Sequence, residues 1–307
     1  MLSVSEDMLA AAHCALPYLG RRKEQVAGYV LAQMAPEGAF MNRGMMPDLY
    51  YSVFGIDALL ALDAVVPEER LAAYLRGQGD GSGLDYMHLT CLARCWARIA
   101  HGRIPDAVLD SIPRRIEACR TRDGGYNTVY KSRRGSVTGI YLAFAAYQDM
   151  RLQLPDAAGV LECLSRLRTP DGGYGNERGM HSGTTLATAG ALILQQMLSG
   201  EHDRNAAEWL WRQTGDEGGF TGSPETPLPD LLSTATAVYA ARLLQHAPDQ
   251  KLLASVVFTE SLQTDEGGYS GHWLDSQADL EYTFYALLVL GCLMGDSGID
   301  SSEFMLE

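Results

Sequence analysis

Asp265-Glu-Gly-Gly-Tyr269 is the stretch on which the fold turns. The same phrase stands at Asp216-Glu-Gly-Gly-Phe220, with near copies at Pro170-Asp-Gly-Gly-Tyr-Gly175 and Arg122-Asp-Gly-Gly-Tyr126. Looser copies are Gly79-Asp-Gly-Ser-Gly-Leu84 and Pro36-Glu-Gly-Ala-Phe40. Their last core residues, Phe40, Leu84, Tyr126, Tyr174, Phe220 and Tyr269, follow one another at intervals of 44, 42, 48, 46 and 49 residues. A period of this length marks a repeat architecture, in which one supersecondary unit is copied and stacked. Six helix-turn-helix units of about 45 residues are expected, at roughly 20–65, 66–105, 106–150, 151–200, 201–248 and 249–300, in a single domain over 1–307.

Each phrase has a helical stretch before it, such as Val160–Arg168 or Leu252–Gln263, and another after it. The later stretches are Asp48–Ala64, Asp85–Ala100, Val137–Met150, Gly183–Leu198, Asp230–Leu244 and Asp279–Met294. They are nearly uncharged and apolar or small almost all round, which marks a buried helix. The earlier stretches carry charge, as at Arg114, Arg115, Glu117 and Arg120, and read as half-exposed. A unit is therefore an outer helix, a Gly-rich turn and an inner helix. Glycine ends the outer helix without strain, and the aromatic after it packs back on the pair. Asp48, Asp85, Asp230 and Asp279 stand where an N-cap accepts the first amide protons of the inner helix. Such units stack as an open spiral or close into a ring. Six near-equal copies without a polar capping repeat favour the ring, so the expected fold is all-α and closed.

Composition narrows the function classes. Among 307 residues, 24 Lys and Arg face 38 Asp and Glu, a formal net charge of −14. Bulk nucleic acid and anionic membranes attract the opposite sign, so neither is an expected partner. Six cysteines (Cys14, Cys91, Cys95, Cys119, Cys163 and Cys292) are scattered without a CxxC and read as reduced thiols. The first twenty residues carry acids where a signal peptide needs bases. The longest apolar run, near 284–294, is too short for a bilayer. A cytoplasmic protein with no integral membrane segment is expected. No hydrolase elbow, P-loop, dinucleotide fingerprint or HExxH motif occurs.

The phrases Gln213-Thr-Gly-Asp-Glu-Gly-Gly-Phe220 and Gln263-Thr-Asp-Glu-Gly-Gly-Tyr269 resemble the repeat shared by protein prenyltransferase β subunits and terpenoid cyclases, and the resemblance runs over roughly residues 24–295. It implies an α6/α6 toroid: six inner helices around a deep cavity that holds an isoprenoid, and six outer helices around them. In the β subunits, an Asp-x-Cys pair and a His hold a catalytic zinc. Here the matching places are Asp230, Leu232 and Tyr282, so two ligands are replaced and no metal or cofactor is expected. The family's diphosphate-site His matches His181. The family's Arg and Lys before the Asp-x-Cys pair are missing from the loop 222–230, which leaves Arg133 and Arg134 as substitutes. The cyclases use an Asp-x-Asp-Asp-Thr acid motif, and Asp279-Leu-Glu-Tyr-Thr283 matches it in part.

These comparisons single out Glu281, Asp230, Asp279, His181 and Tyr282 as candidate catalytic residues. Glu281 sits past the cap, in the first helical turn, where an apolar cavity would keep its carboxyl group protonated for general-acid work. The plainer reading of the four Asp residues is as N-caps, and of Glu281 as a partner of the helix dipole. Asp48, Tyr51, Asp85, His88, Arg133, Arg134, Tyr141, Tyr285 and Trp273 are candidates for substrate contact. His88, Cys91 and Cys95 share one helical face, which reads as core with a His at the cavity edge rather than as a metal site. The expected function is a metal-independent enzyme that cyclises, transfers or eliminates on an isoprenoid or other hydrophobic small molecule. The alternatives are a β-like subunit of a protein or peptide prenyltransferase with a helical partner chain, and a non-catalytic hydrophobic-ligand-binding or scaffold toroid. A homodimer is the other expected assembly.

Overall fold

The computed structural model describes residues 2–99 and 104–295. The expected end of the second inner stretch at Ala100 and of the sixth unit at residue 300 lie outside the described residues. The chain opens with α1 (Val4–His13) and the short α2 (Leu16–Leu19), then alternates outer and inner helices. The outer set is α3 (Arg22–Ala32), α5 (Glu68–Gly77), α7 (Asp106–Glu117), α9 (Ala157–Ser165), α11 (Arg204–Trp211) and α13 (Gln250–Glu260). The inner set is α4 (Leu49–Ala61), α6 (Tyr86–Arg98), α8 (Val137–Asp149), α10 (Thr185–Ser199), α12 (Leu231–Leu243) and α14 (Leu280–Met294). Each inner helix packs on the next in chain order, and α14 packs back on α4, so the ring is closed. The fold is the alpha-alpha toroid.

The Gly-rich phrase builds one small device repeatedly. Antiparallel bridges join Met34 to Phe40, Arg120 to Tyr126, Arg168 to Tyr174, Thr214 to Phe220 and Gln263 to Tyr269. The five aromatics are buried between the helix layers. In four units the aromatic amide donates to a hydroxyl of the inner helix: Phe40 to Ser52, Tyr174 to Thr188, Phe220 to Thr234 and Tyr269 to Thr283, at 2.9–3.2 Å. The second unit, with Leu84 in place of the aromatic, forms no such bridge among the described residues. In the fifth unit the loop extends into a two-residue ladder, β1 (Phe220–Thr221) with β2 (Pro229–Asp230), the one departure from an all-helical chain among the described residues.

Gly267 shows why the phrase needs glycine. Its φ is +99°, and a Cβ there would lie 2.8 Å from the Gln25 backbone oxygen of α3. That contact also closes the outer ring, since α3 belongs to the first unit and Gly267 to the last. Arg22 reinforces the same seam through Glu260, at 2.5 and 3.1 Å. On the inner side Arg43 bridges it, donating to Asp279 at 2.6 Å and Asp275 at 2.7 Å.

The repeat begins near residue 20 and gives no role to the chain before it. In the structure α1 lies across the end of the ring where the inner helices finish, packed on α4, α8 and α14. The Val4 amide donates to Gln148, Ser3 and Ser5 donate to Asp149, and Tyr239 and Arg242 donate to Asp7. Among the described residues, no helix is long and apolar enough to cross a membrane.

Candidate active site

The ring encloses a well of about 250 Å³, near the small end of ligand pockets, which run from roughly 300 to 1,000 Å³. Each inner helix contributes one stripe at helical spacing. Examples are Met87, Thr90, Cys91 and Arg94 on α6, and Thr138, Tyr141, Leu142, Ala145 and Asp149 on α8. The first turns of the inner helices line one end of the well, through Tyr50, Leu186, Leu232 and Glu281. The other end is floored by Met8 of α1. All the long turn-to-helix loops lie at the first end, because every outer helix runs toward it and every inner helix starts from it.

Glu281 is the acid of the mouth. Its cap, Asp279, accepts the Tyr282 amide at 2.9 Å, and this starts α14 so that residue 281 faces the well. Tyr50 on the neighbouring α4 donates to Glu281 Oε1 at 2.5 Å. Phe54 stacks edge-on with Tyr50 and with Tyr285, at centroid distances of 4.9 and 5.3 Å. Burial among these rings pushes the Glu281 carboxyl up to about 7, against the Tyr50 hydrogen bond, which lowers it. Burial also holds the Tyr50 hydroxyl well above its ordinary range.

A second polar group occupies the deep end. Asp57 is fully buried and pairs with Arg94 at 2.5 Å and with Arg98 at 2.7 Å. Arg94 and Asp149 both line the well. Asp149 accepts from Ser5 of α1 and from Ser3, the cap of that helix, and burial raises its carboxyl above the usual range.

Of the residues singled out from sequence, the structure brings Glu281, Tyr141 and Tyr285 to the well. Asp48, Asp85, Asp230 and Asp279 are N-caps, accepting from the amides of Tyr50 and Tyr51, His88, Ser233 and Tyr282. Burial raises the carboxyls of Asp230 and Asp279. His88 lies at the rim, 2.9 Å from Asp85 and 3.7 Å from Asp48. Tyr51 packs edge-on against Tyr50 beside the mouth. The Tyr282 ring lies under Arg43, 5.3 Å from its guanidinium carbon, and close against Gly271 rather than among the lining residues. His181, Arg133 and Arg134 are exposed in the rim loops. Trp273 is turned outward, its indole donating to Ser261 at 2.8 Å and packing on Phe258 of α13.

Sequence reasoning gave no role to Arg94, Asp149, Tyr239 and Thr236, which also line the well. The available signal was a charged residue inside or at the end of a mostly apolar inner helix: Asp57 and Arg94 interrupt such helices and Asp149 ends one.

The residues at the family's zinc positions do not fit that ion. The Asp230 carboxyl is occupied by the Ser233 amide and hydroxyl, at 2.8 and 2.7 Å. Leu232 offers no donor atom, and Tyr282 is committed to Arg43. Among the described residues no cluster of three His, Cys, Asp or Glu is placed to hold a metal.

The sequence profile described as Prenyltransferase alpha-alpha toroid domain matches residues 21–226 and 188–305. No curated protein matches the chain at the level of sequence. Solved structures match it in fold. Candida albicans protein geranylgeranyltransferase-I, complexed with GGPP, is 16% identical with a TM-score of 0.61, over 78% of this chain and 84% of that one. A variant of the type II terpene cyclase MstE from Scytonema, complexed with geranylgeranyl dihydroxybenzoate, is 12% identical with a TM-score of 0.62, over 92% and 98%. An inactive variant of an alpha-1,6-mannanase from a Salegentibacter species, complexed with alpha-1,6-mannotriose, is 14% identical with a TM-score of 0.60, over 89% and 98%. At these identities the likeness is one of fold, and the three chemistries differ.

Proposed function

Because this chain belongs to the prenyltransferase alpha-alpha toroid domain family, we propose that it is a metal-independent enzyme working by acid–base chemistry at Glu281. Its substrate is an isoprenoid or similarly hydrophobic small molecule bound in the well. The observation that carries this is a carboxyl group that lines a mostly apolar well among aromatic rings and accepts from Tyr50; burial there pushes it up to about 7. A carboxyl group so tuned gives or takes a proton near neutrality. The rings of Tyr50, Phe54 and Tyr285 line the well beside it, and an aromatic face turned to the substrate would stabilise a developing cation. An apolar wall suits a hydrocarbon chain better than a sugar, whose hydroxyls would lack partners there. Cyclisation, transfer and elimination all need these elements.

The test is incubation with prenyl diphosphates and prenylated aromatics of several lengths, followed by mass spectrometry. Product is expected with the wild type and a loss of at least about a hundredfold with Glu281→Gln, the usual scale of general acid–base catalysis. If Glu281 acts as the acid, kcat falls as pH rises through about 7, because the protonated form disappears. Unchanged substrates throughout, or full turnover by Glu281→Gln, overturns the proposal.

A second reading is favoured by the rim. Met45, Met46, Val129, Tyr130 and Leu274 are exposed on the mouth-side loops, where a partner seated on the mouth would cover them. On this reading the chain is a β-like subunit seated against a helical partner. Co-purification of such a partner from the native source supports it, and a monomer active on free prenyl substrates speaks against it.

A further inference from the structure

The depth of the well is set by a part of the chain that the repeat does not contain. The end where the inner helices finish is covered by α1, and Met8 is the residue of α1 that lines the well. Tyr141, from the wall, donates its hydroxyl to Met8 Sδ at 3.5 Å. The residues just before Met8 brace the helix. Asp7 accepts from Tyr239 at 2.9 Å and from Arg242 at 3.1 Å, both on α12. The Val4 amide donates to Gln148 of α8 at 2.8 Å, and Glu6 accepts from Arg151, just past that helix, at 2.5 and 3.0 Å. Tied to two separate inner helices, α1 holds Met8 at a fixed depth. The well is also short. An apolar cavity of about 150 Å³ holds benzene, or about 25 Å³ per carbon. At that density a well of about 250 Å³ holds about ten carbons.

We propose that Met8 is a specificity-determining residue: it stops the tail of a hydrophobic ligand and limits the buried length to about ten carbons, or about two isoprene units. The tail goes in first, toward Met8, and the reacting end stays beside Glu281 at the mouth. A ligand one isoprene unit longer cannot sink further. It leaves that much apolar surface in water and carries its reacting end past Glu281, so the extra unit adds little affinity. This deepens the functional reading above and rests on it, because it assumes that the well holds the substrate.

The test measures binding, not turnover, by equilibrium dialysis of the full chain against radiolabelled geraniol, farnesol and geranylgeraniol, each one isoprene unit longer than the last. Full burial of a further unit raises affinity at least about a hundredfold. With Met8 in place, farnesol and geranylgeraniol are expected within about tenfold of geraniol. Met8→Ala cuts the side chain back to Cβ and deepens the well, so the preference for farnesol over geraniol should rise by at least about tenfold, the worth of roughly two more buried carbons. Met8→Leu conserves volume and should keep the wild-type ratio. A gain of about a hundredfold or more from geraniol to farnesol in the wild type, or an unchanged ratio in folded Met8→Ala, overturns the stop. Either result leaves the acid–base reading standing, since that reading is judged by products. Failure of every alcohol to bind overturns both. Should Met8→Ala not fold, the wild-type ratio decides alone.

Discussion

Burying Glu281 costs free energy whenever its carboxyl group is ionised. Its ordinary value of 4.5 rises to about 7 in the folded chain. The folded state therefore holds a proton that the unfolded state has released between those two values. Stability falls as pH rises through this window, by about 3 kcal/mol if the shift is fully expressed. The usual carboxylate, lowered by a partner, gives the opposite slope. Glu281→Gln should remove this loss: urea denaturation is expected to find the variant more stable than wild type at pH 8, by up to about 3 kcal/mol, and within about 1 kcal/mol of it at pH 4. At this scale the sequence was partly legible. Position 281 falls in the first turn of a helix whose cap can be read, so its direction could be argued. Arg94 and Asp149 lie far down helices whose ends point at α1, and nothing in the repeat announced that helix.

The repeated unit is held by more than apolar burial. In the fifth unit, Thr234 accepts the buried Phe220 amide at 2.9 Å and donates to the Asp230 carbonyl at 2.7 Å. Thr234→Val keeps the shape and orphans that amide, so a loss of about 1–3 kcal/mol is expected in chemical denaturation. Thr234→Ser should keep most of the stability, since the hydroxyl remains. The inner helices begin within two residues of where the sequence places them, because Asp and Gly punctuate their starts. The hydroxyl clip was not foreseen, since Ser and Thr in a buried helix read only as small residues. Ile140 stands in the equivalent place of the third unit and cannot form it, so the clip reinforces the unit without defining it.

Closure belongs to the whole molecule. The seam between last and first units is ionic on its inner side, and Arg43 serves both Asp275 and Asp279, the second only 6% exposed. Arg43→Met leaves that aspartate without its cation. Because Arg43 is one-third exposed, the loss should be about 2 kcal/mol, below the 3–5 kcal/mol of a fully buried pair. Hydrogen exchange should quicken first at α3, α4 and α14, the helices that meet there. A uniform change in exchange across all twelve ring helices would show that the seam is not a weak line. The number of units and their alternation favoured a ring over a spiral, but of the groups that join its two ends only Gly267 lies in the repeated phrase, and the ionic partners Arg22, Arg43, Glu260 and Asp275 became visible only in space. With α1 laid over one end, the interior is a cul-de-sac. A substrate bound there, as proposed above, would have to leave by the way it came. On the proposed function, a reaction that stiffens or widens the substrate would slow its departure and shift the slow step of turnover from making the product to letting it go.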